Sequence, residues 1–262
     1  MNIGTAKPSS EELAEAPHHF IGNISINDHY TAGIFEKEAL ALLEKLFSEK
    51  DIVILIGGSG LFERAIVDGL DDLPPTSVEL RNSIQDELNE KGIKHLQSRL
   101  KELDEGTYNC IDLNNPRRVQ RALEIVMSGK GKASELRSFS KKDRKFKTIR
   151  VGLNAHRESL YDRINLRVEM MISAGLEEEA RGLFSQRDKQ ALQTVGYKEL
   201  FDYFEGKTEF DEAVELIKRN TRRYAKRQLT WFRKYSDIEW FQPDNPVAII
   251  DYINTKHKNE SN

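Results

Sequence analysis

DIVILIGGSGLFERAIVDGL, residues 51–70, decides how this chain is read. Ile52 to Ile56 is short, largely β-branched and apolar at every position, as expected of a central parallel strand covered on both faces. A helix precedes it, predicted over about 32–48, where Phe35, Ala39, Leu42, Leu43 and Leu46 keep a helical period. LFERAIVDGL after the glycines predicts another helix. Helix, buried strand and helix in succession imply an α/β sheet. In such sheets ligands collect beyond the carboxyl ends of the strands, where a glycine-rich turn lets backbone N–H groups approach an anion. Gly57, Gly58 and Gly60 are therefore candidate turn positions at a ligand, with Ser59 a candidate contact. The same glycines would also serve simply to turn a strand tightly into a helix.

Working outward, PSSEELAEA places Ser9 and Glu12 at capping-box spacing and opens a short helix. LPPT at 73–76 breaks the α/β pattern, and the sequence to about Lys147 is charged and helical in character. Thr76 with Glu79 predicts a capping box, Asn115-Pro116 an N-cap and first turn, and Gly129 a helix stop. A strand signal returns at TIRVGLN, 148–154, followed by predicted helices at about 157–173, 176–185 and 196–205. The reading is a discontinuous α/β core at 1–75 and 146–250, a helical insertion at 76–145, and a polar tail at 251–262 whose last residues, KHKNESN at 256–262, are expected to be disordered.

Charge is distributed unevenly. The chain has 262 residues, 40 basic, 43 acidic, with a formal net charge of −3. KRNTRRYAKRQLTWFRK, 218–234, takes eight of the basic residues and none of the acidic ones. Without Pro or Gly, and with Tyr224, Gln228, Trp231 and Tyr235 at three- and four-residue steps, it predicts an amphipathic helix with basic sides. It suits a polyanion, with Tyr224, Trp231 and Phe232 packing inward or stacking on bases; a solvated surface helix is the plainer reading. Arg117, Arg118 and Arg121 open the Asn115-Pro116 helix, where cations oppose the macrodipole. They suit an anionic ligand, or Glu124 as a structural partner.

Several classes are excluded. No apolar run approaches a membrane span, and the amino end does not resemble a signal peptide, so a cytoplasmic protein is expected. Cys110 is alone, which rules out an internal disulfide and a multi-cysteine metal site. His18 and His19 are adjacent rather than at metal-ligand spacing and are read as structural or solvent-facing. GGSGL lacks the second glycine of a G-x-S-x-G elbow, which disfavours a serine hydrolase.

Seven segments together resemble the tRNA dimethylallyltransferase family: IGTAKPSSEELAEAPHH (3–19), YTAGIF (30–35), ILIGGSGL (54–61), DGLDDLP (68–74), NNPRRVQRALE (114–124), TVGYKEL (194–200) and KRQLTWFRK (226–234). The resemblance implies a parallel-sheet core akin to P-loop nucleotide kinases, with an insertion that grips a tRNA anticodon arm. It implies Mg²⁺ as metal, dimethylallyl diphosphate as donor, and a monomer that prenylates the N6 amine of the adenosine beside the anticodon. By resemblance, Ser59 contacts the target nucleoside as the candidate catalytic residue, and Arg81 contacts tRNA. So do Arg117, Arg118, Val119, Gln120 and Arg121. Val195, Gly196, Tyr197 and Lys198 match a loop near the active site. Lys226, Arg227, Gln228, Leu229, Thr230, Trp231, Phe232 and Arg233 match a segment that lines the tRNA.

The sequence departs from the family at Asp112 and Asn115, where His and Asp are common, and at Phe62, which costs a tyrosine hydroxyl. The family's P-loop strand and an Asp-Ser-Arg-Gln motif with the general-base aspartate, expected ahead of GTAKP, are not in this sequence. A truncated chain or a displaced start codon is therefore expected, with tRNA binding kept and prenyl transfer weak or absent. The alternatives are a non-catalytic tRNA-binding remnant and an adenylate isopentenyltransferase; the latter leaves the insertion and basic helix unexplained.

Overall fold

The computed structural model describes residues 1–137 and 140–261. Ser138 and Phe139 of the expected insertion, and Asn262 of the expected tail, lie outside the described residues. The chain forms two compact units, residues 1–63 with 146–262, and residues 64–145.

The first unit begins with α1 (Ser10–Glu15), capped as the sequence predicts by the reciprocal Ser9–Glu12 box. Then comes α2 (Ala32–Leu46), capped by the Thr31 hydroxyl. α3 (Gly60–Val67) starts at the glycine turn and crosses into the second unit.

The second unit holds α4 (Val78–Leu103), α5 (Glu105–Cys110), α6 (Pro116–Met127) and α7 (Ala133–Leu136). α4 breaks at Gly92, whose φ of 75° only glycine adopts cheaply. α6 follows its sequence signature: the Asn115 side chain accepts from Arg118 N–H, Pro116 fills the first turn, and Gly129 lies just past the end at φ 72°. α4 and α6 bury Ile84, Leu96, Leu100, Val119, Ala122 and Leu123 between them. The α4 cap is one residue off the prediction. Ser77 caps Leu80 N–H, while the Thr76 hydroxyl accepts from the Arg121 guanidinium at 2.7 Å.

The chain re-enters the first unit at β1 (Arg150–Leu153). There follow α8 (Arg157–Ser173), α9 (Leu176–Leu183), α10 (Tyr197–Phe204), α11 (Phe210–Phe232), β2 (Ile238–Phe241) and α12 (Pro246–Ser261). β1 and β2 pair in parallel, from Arg150 opposite Ile238 to Leu153 opposite Phe241. α8 to α11 surround a core of Val168, Leu176, Ala180, Leu192, Tyr197, Leu200, Phe201 and Ile217. Each buried Val, Leu, Ile or Phe among them contributes about 1.5–3 kcal/mol.

The structure is thus mixed α/β, mostly helical, with a small parallel sheet. The expectation that Ile52–Ile56 is its central strand is corrected. The segment forms no ladder with β1 or β2, and Ile54 is 76% and Ile56 87% exposed. An all-apolar run reports that a strand can be covered, but pairing needs adjacent backbones, and none of the described residues supplies them here. The disordered-tail expectation is corrected too: α12 runs through Ser261, with Tyr252 packed on Phe241 at a ring separation of 5.5 Å.

Candidate nucleic-acid interface

α11 changes character along its length. Its first half buries Ala213 and Ile217 against the core. Lys218 is neutralised by Glu169 at 3.0 Å and Glu215 at 2.8 Å, and Arg222 donates to Asn165 at 2.5 Å. Beyond that point Arg219, Arg223, Lys226, Thr230 and Arg233 recur at steps of four and three, so they form one stripe, and all are exposed. Arg227 flanks the stripe and stands over the Tyr224 ring at 5.7 Å. Among the described residues, no ion pair engages Arg219, Arg223, Lys226, Arg227 or Arg233. Exposed cations without carboxylate partners attract polyanions and set a salt-dependent affinity. Tyr224, for which the sequence leaves packing inward and stacking on bases both open, is 44% exposed and so is accessible to a stacking base.

The opposite side of α11 meets the glycine turn. A side chain at Gly58 would collide with the Gln228 amide, and one at Gly60 with the Trp231 indole. The glycines at 58 and 60 are therefore required by close packing; Gly57 has open space around it. Ser59, exposed between the two contacts, sends its carbonyl to the N–H groups of Phe62 and Glu63 at 3.1 Å, which starts α3. Trp231 Nε1–H is buried and finds no acceptor among the described residues. Phe62 packs on Phe35 at 4.9 Å, holding the turn to α2. Glu63 pairs with the buried Arg150 at 2.8 Å; Arg150 also reaches Asp237 at 2.5 Å and stands over Tyr235 at 4.5 Å. Burial works against the Arg150 charge, but these two carboxylates more than offset it and raise its pKa.

The loop Val195–Lys198 is held from both sides. Glu199, itself buried, accepts from Gly196 N–H at 2.8 Å and from Asn220 of α11 at 2.7 Å. Tyr197 is fully buried and donates to Glu179 at 2.5 Å. The other donors to Glu179 are the backbone N–H groups of Asn2, Ile3 and Gly4 at 2.6, 3.1 and 3.0 Å. Burial pushes the Glu179 pKa up, but the four hydrogen bonds outweigh it and hold the group at about 2. Val195 is partly buried and Lys198 exposed, so of these four only Lys198 presents a side chain fully to solvent.

In the second unit the arginines read as one set divide. Arg117 and Arg118 are exposed, whereas Arg121 is tied to Thr76, to the Pro74 carbonyl at 3.2 Å and to Glu124 at 3.0 Å. Arg81 approaches the same Glu124 at 3.9 Å. Gln120 bonds Gln85 at 3.0 Å, and Val119 is fully buried, so its side chain packs in the core and meets no ligand. The carboxylate partners of Arg150 and the Glu179 clamp escaped the sequence reading because their partners are far apart in the chain and carry no spacing signal.

A family model for IPP transferases matches residues 1–235. The tRNA dimethylallyltransferase of Christiangramia forsetii is 50% identical over 98% of this chain and 85% of its own length. That of Cytophaga hutchinsonii is 45% identical over 98% and 84%. Among solved structures, the full-length tRNA isopentenylpyrophosphate transferase of Bacillus halodurans superposes with a TM-score of 0.68 at 34% identity, covering 100% of this chain and 85% of that one. A eukaryotic dimethylallyltransferase described as acting on tRNA matches with a TM-score of 0.73 at 25% identity, over 92% of this chain and 63% of that one. The chain belongs to the IPP transferase family.

Proposed function

We propose that this chain is a tRNA dimethylallyltransferase that binds a tRNA anticodon arm and presents the adenosine beside the anticodon for transfer of a dimethylallyl group from dimethylallyl diphosphate. The observation that carries the reading is the one-sided, unpaired basic stripe of α11, whose opposite side is packed directly on the Ser59 turn. Phosphates held on Arg219, Arg223, Lys226 and Arg233 position the RNA without reading its sequence. Ser59, exposed at the same turn, would hydrogen-bond an adenosine drawn out of the loop. In the reaction the N6 nitrogen bonds the allylic carbon, the carbon–oxygen bond to diphosphate breaks, and N6 loses a proton.

Mg²⁺ would neutralise the departing diphosphate. The described residues contain no group of three or more His, Cys, Asp or Glu able to hold a metal ion, so they do not by themselves fit one. Among the described residues no helix is long and apolar enough to cross a membrane. A cytoplasmic monomer is the location and assembly that fit this reading.

The test is anisotropy of a labelled anticodon stem-loop against salt, followed by transfer of labelled dimethylallyl groups. Binding whose logarithm falls with the logarithm of salt by about 0.7 to 0.9 per phosphate supports the reading. A flat response removes it, and binding without transfer leaves an RNA-binding protein rather than an enzyme.

A further inference from the structure

The segment from Lys7 to His18 is built with care that the basic helix does not explain. Among the described residues, Ala6 at φ 49° and Phe20 at φ 62° are the non-glycine residues in the left-handed region, and they bracket this segment. Such backbone costs energy and persists where surrounding contacts impose it. Here the contacts are visible. Upstream, Glu179 grips the amides of Asn2 to Gly4, and Lys7 N–H returns to the Asn2 carbonyl at 3.0 Å. Downstream, the Phe20 ring stands edge-on to Phe35 at 5.2 Å, the same ring that packs on Phe62 behind the Ser59 turn. The Lys7 ammonium occupies the space a side chain at Gly22 would take.

Between this segment and α8 lies a cavity of about 550 Å³, lined by Lys7, Glu12, Glu15, His18 and Arg167. Its charges do not satisfy one another: no ion pair joins Lys7 or Arg167 to Glu12 or Glu15. Glu12 is spent on Ser9 N–H at 2.8 Å, while Glu15 is left without such a bond. His18 donates Nδ1–H to the Ala16 carbonyl at 2.7 Å, which fixes its ring. Two cations, one fixed imidazole and one uncommitted carboxylate around a nucleotide-sized space ask for a ligand that carries both an anion and a donor. Inorganic diphosphate, with several negative charges, would face two carboxylates. An RNA nucleotide brings a single charge per phosphodiester and base N–H groups as well.

We propose that this cavity is a second RNA contact, a nucleotide subsite in which Lys7 and Arg167 take one phosphodiester, a base lies on His18, and Glu15 accepts from a base N–H. Aromatic and imidazole faces are common platforms for unstacked bases. The inference rests on the RNA-binding reading above and extends it to residues outside the basic helix.

The test uses the full chain and a labelled anticodon stem-loop, with circular dichroism confirming that each variant is folded. Lys7→Ala and Arg167→Ala should each weaken binding about threefold at moderate salt, and the two together should lower the salt slope by about 0.7 to 0.9, the share of the one phosphodiester they hold. Lys7→Arg, which keeps the charge, should retain the slope. Glu15→Ala should weaken binding; strengthened binding would mean that Glu15 only repels phosphate, and would overturn the base contact. Wild-type affinity and slope in the Lys7→Ala/Arg167→Ala double variant, with Arg223→Ala still weakened, would overturn this subsite alone. A wild-type chain that ignores the RNA overturns both readings. Displacement of RNA by inorganic diphosphate that depends on Lys7 and Arg167 would assign the cavity to free phosphate instead.

Discussion

Glu179 shows how one carboxylate can organise a distant segment. It receives three consecutive backbone N–H groups and the Tyr197 hydroxyl, and its pKa stands at about 2. Because the folded pKa lies below the unfolded one, the stabilisation is complete above the ordinary carboxylate range and is lost as pH falls toward 2. Glu179→Gln should therefore cost about 2 kcal/mol near neutrality and progressively less in acid. Urea unfolding of both proteins across pH checks this; a difference that persists at pH 2 would count against it. Asp104 repeats the design in the other unit. Burial raises its pKa, but side-chain and backbone bonds from Ser134 and Thr107 hold it at about 2. Asp104→Asn should likewise destabilise by about 2 kcal/mol above pH 5, as read by thermal melts. At Gly60, alanine would drive a methyl group into the Trp231 indole. Gly60→Ala should lower transfer by displacing Ser59 while leaving the salt slope of RNA binding near wild type, since the phosphate contacts lie on the far side of α11. Equal loss of binding and transfer would instead mean that the helix itself had moved.

Among the elements, α11 carries the largest expected effect. Arg223→Ala with Lys226→Ala removes two cations from the exposed stripe, and should lower the salt slope by about 1.4 to 1.8 and weaken every tRNA alike. Anisotropy titrations at several salt concentrations read this directly. The element scale is also where sequence was most legible. α8 runs over Arg157–Ser173, matching the helix expected at about 157–173, and Ser9, Asn115, Pro116 and Gly129 mark helix ends where they stand. These signals are local: a cap bonds three residues away, so its partner lies within the same stretch of sequence. The strand at Ile52–Ile56 misled for the complementary reason. Its composition was read correctly, but a ladder is made with another strand, and composition does not name the partner.

At the scale of the molecule, that unpaired run has a consequence. Ile54, Leu55 and Ile56 are at least half exposed, an apolar run whose backbone bonds to no other backbone among the described residues. Exposed apolar runs of this kind recruit other chains. The protein should self-associate as concentration rises, and Ile54→Lys with Ile56→Lys should suppress this while sparing RNA binding. Light scattering and anisotropy on the same samples would separate the two; unchanged scattering in the variant would place the association elsewhere.

By itself the sequence determined most of the helices and several of their caps, the concentration of cations between Lys218 and Lys234, and the family, because these depend on residue type and short spacing. Only the tertiary structure decided which of those residues are available. It withdrew Arg121, Arg222 and Lys218 into internal bonds, buried Val119 and Tyr197, pressed Gly58 and Gly60 against Gln228 and Trp231, and gathered Lys7, His18 and Arg167 around one cavity. The physical reason is that a charge or a hydroxyl acts through whatever lies within a few ångströms of it, and those neighbours come from parts of the chain that no local pattern connects.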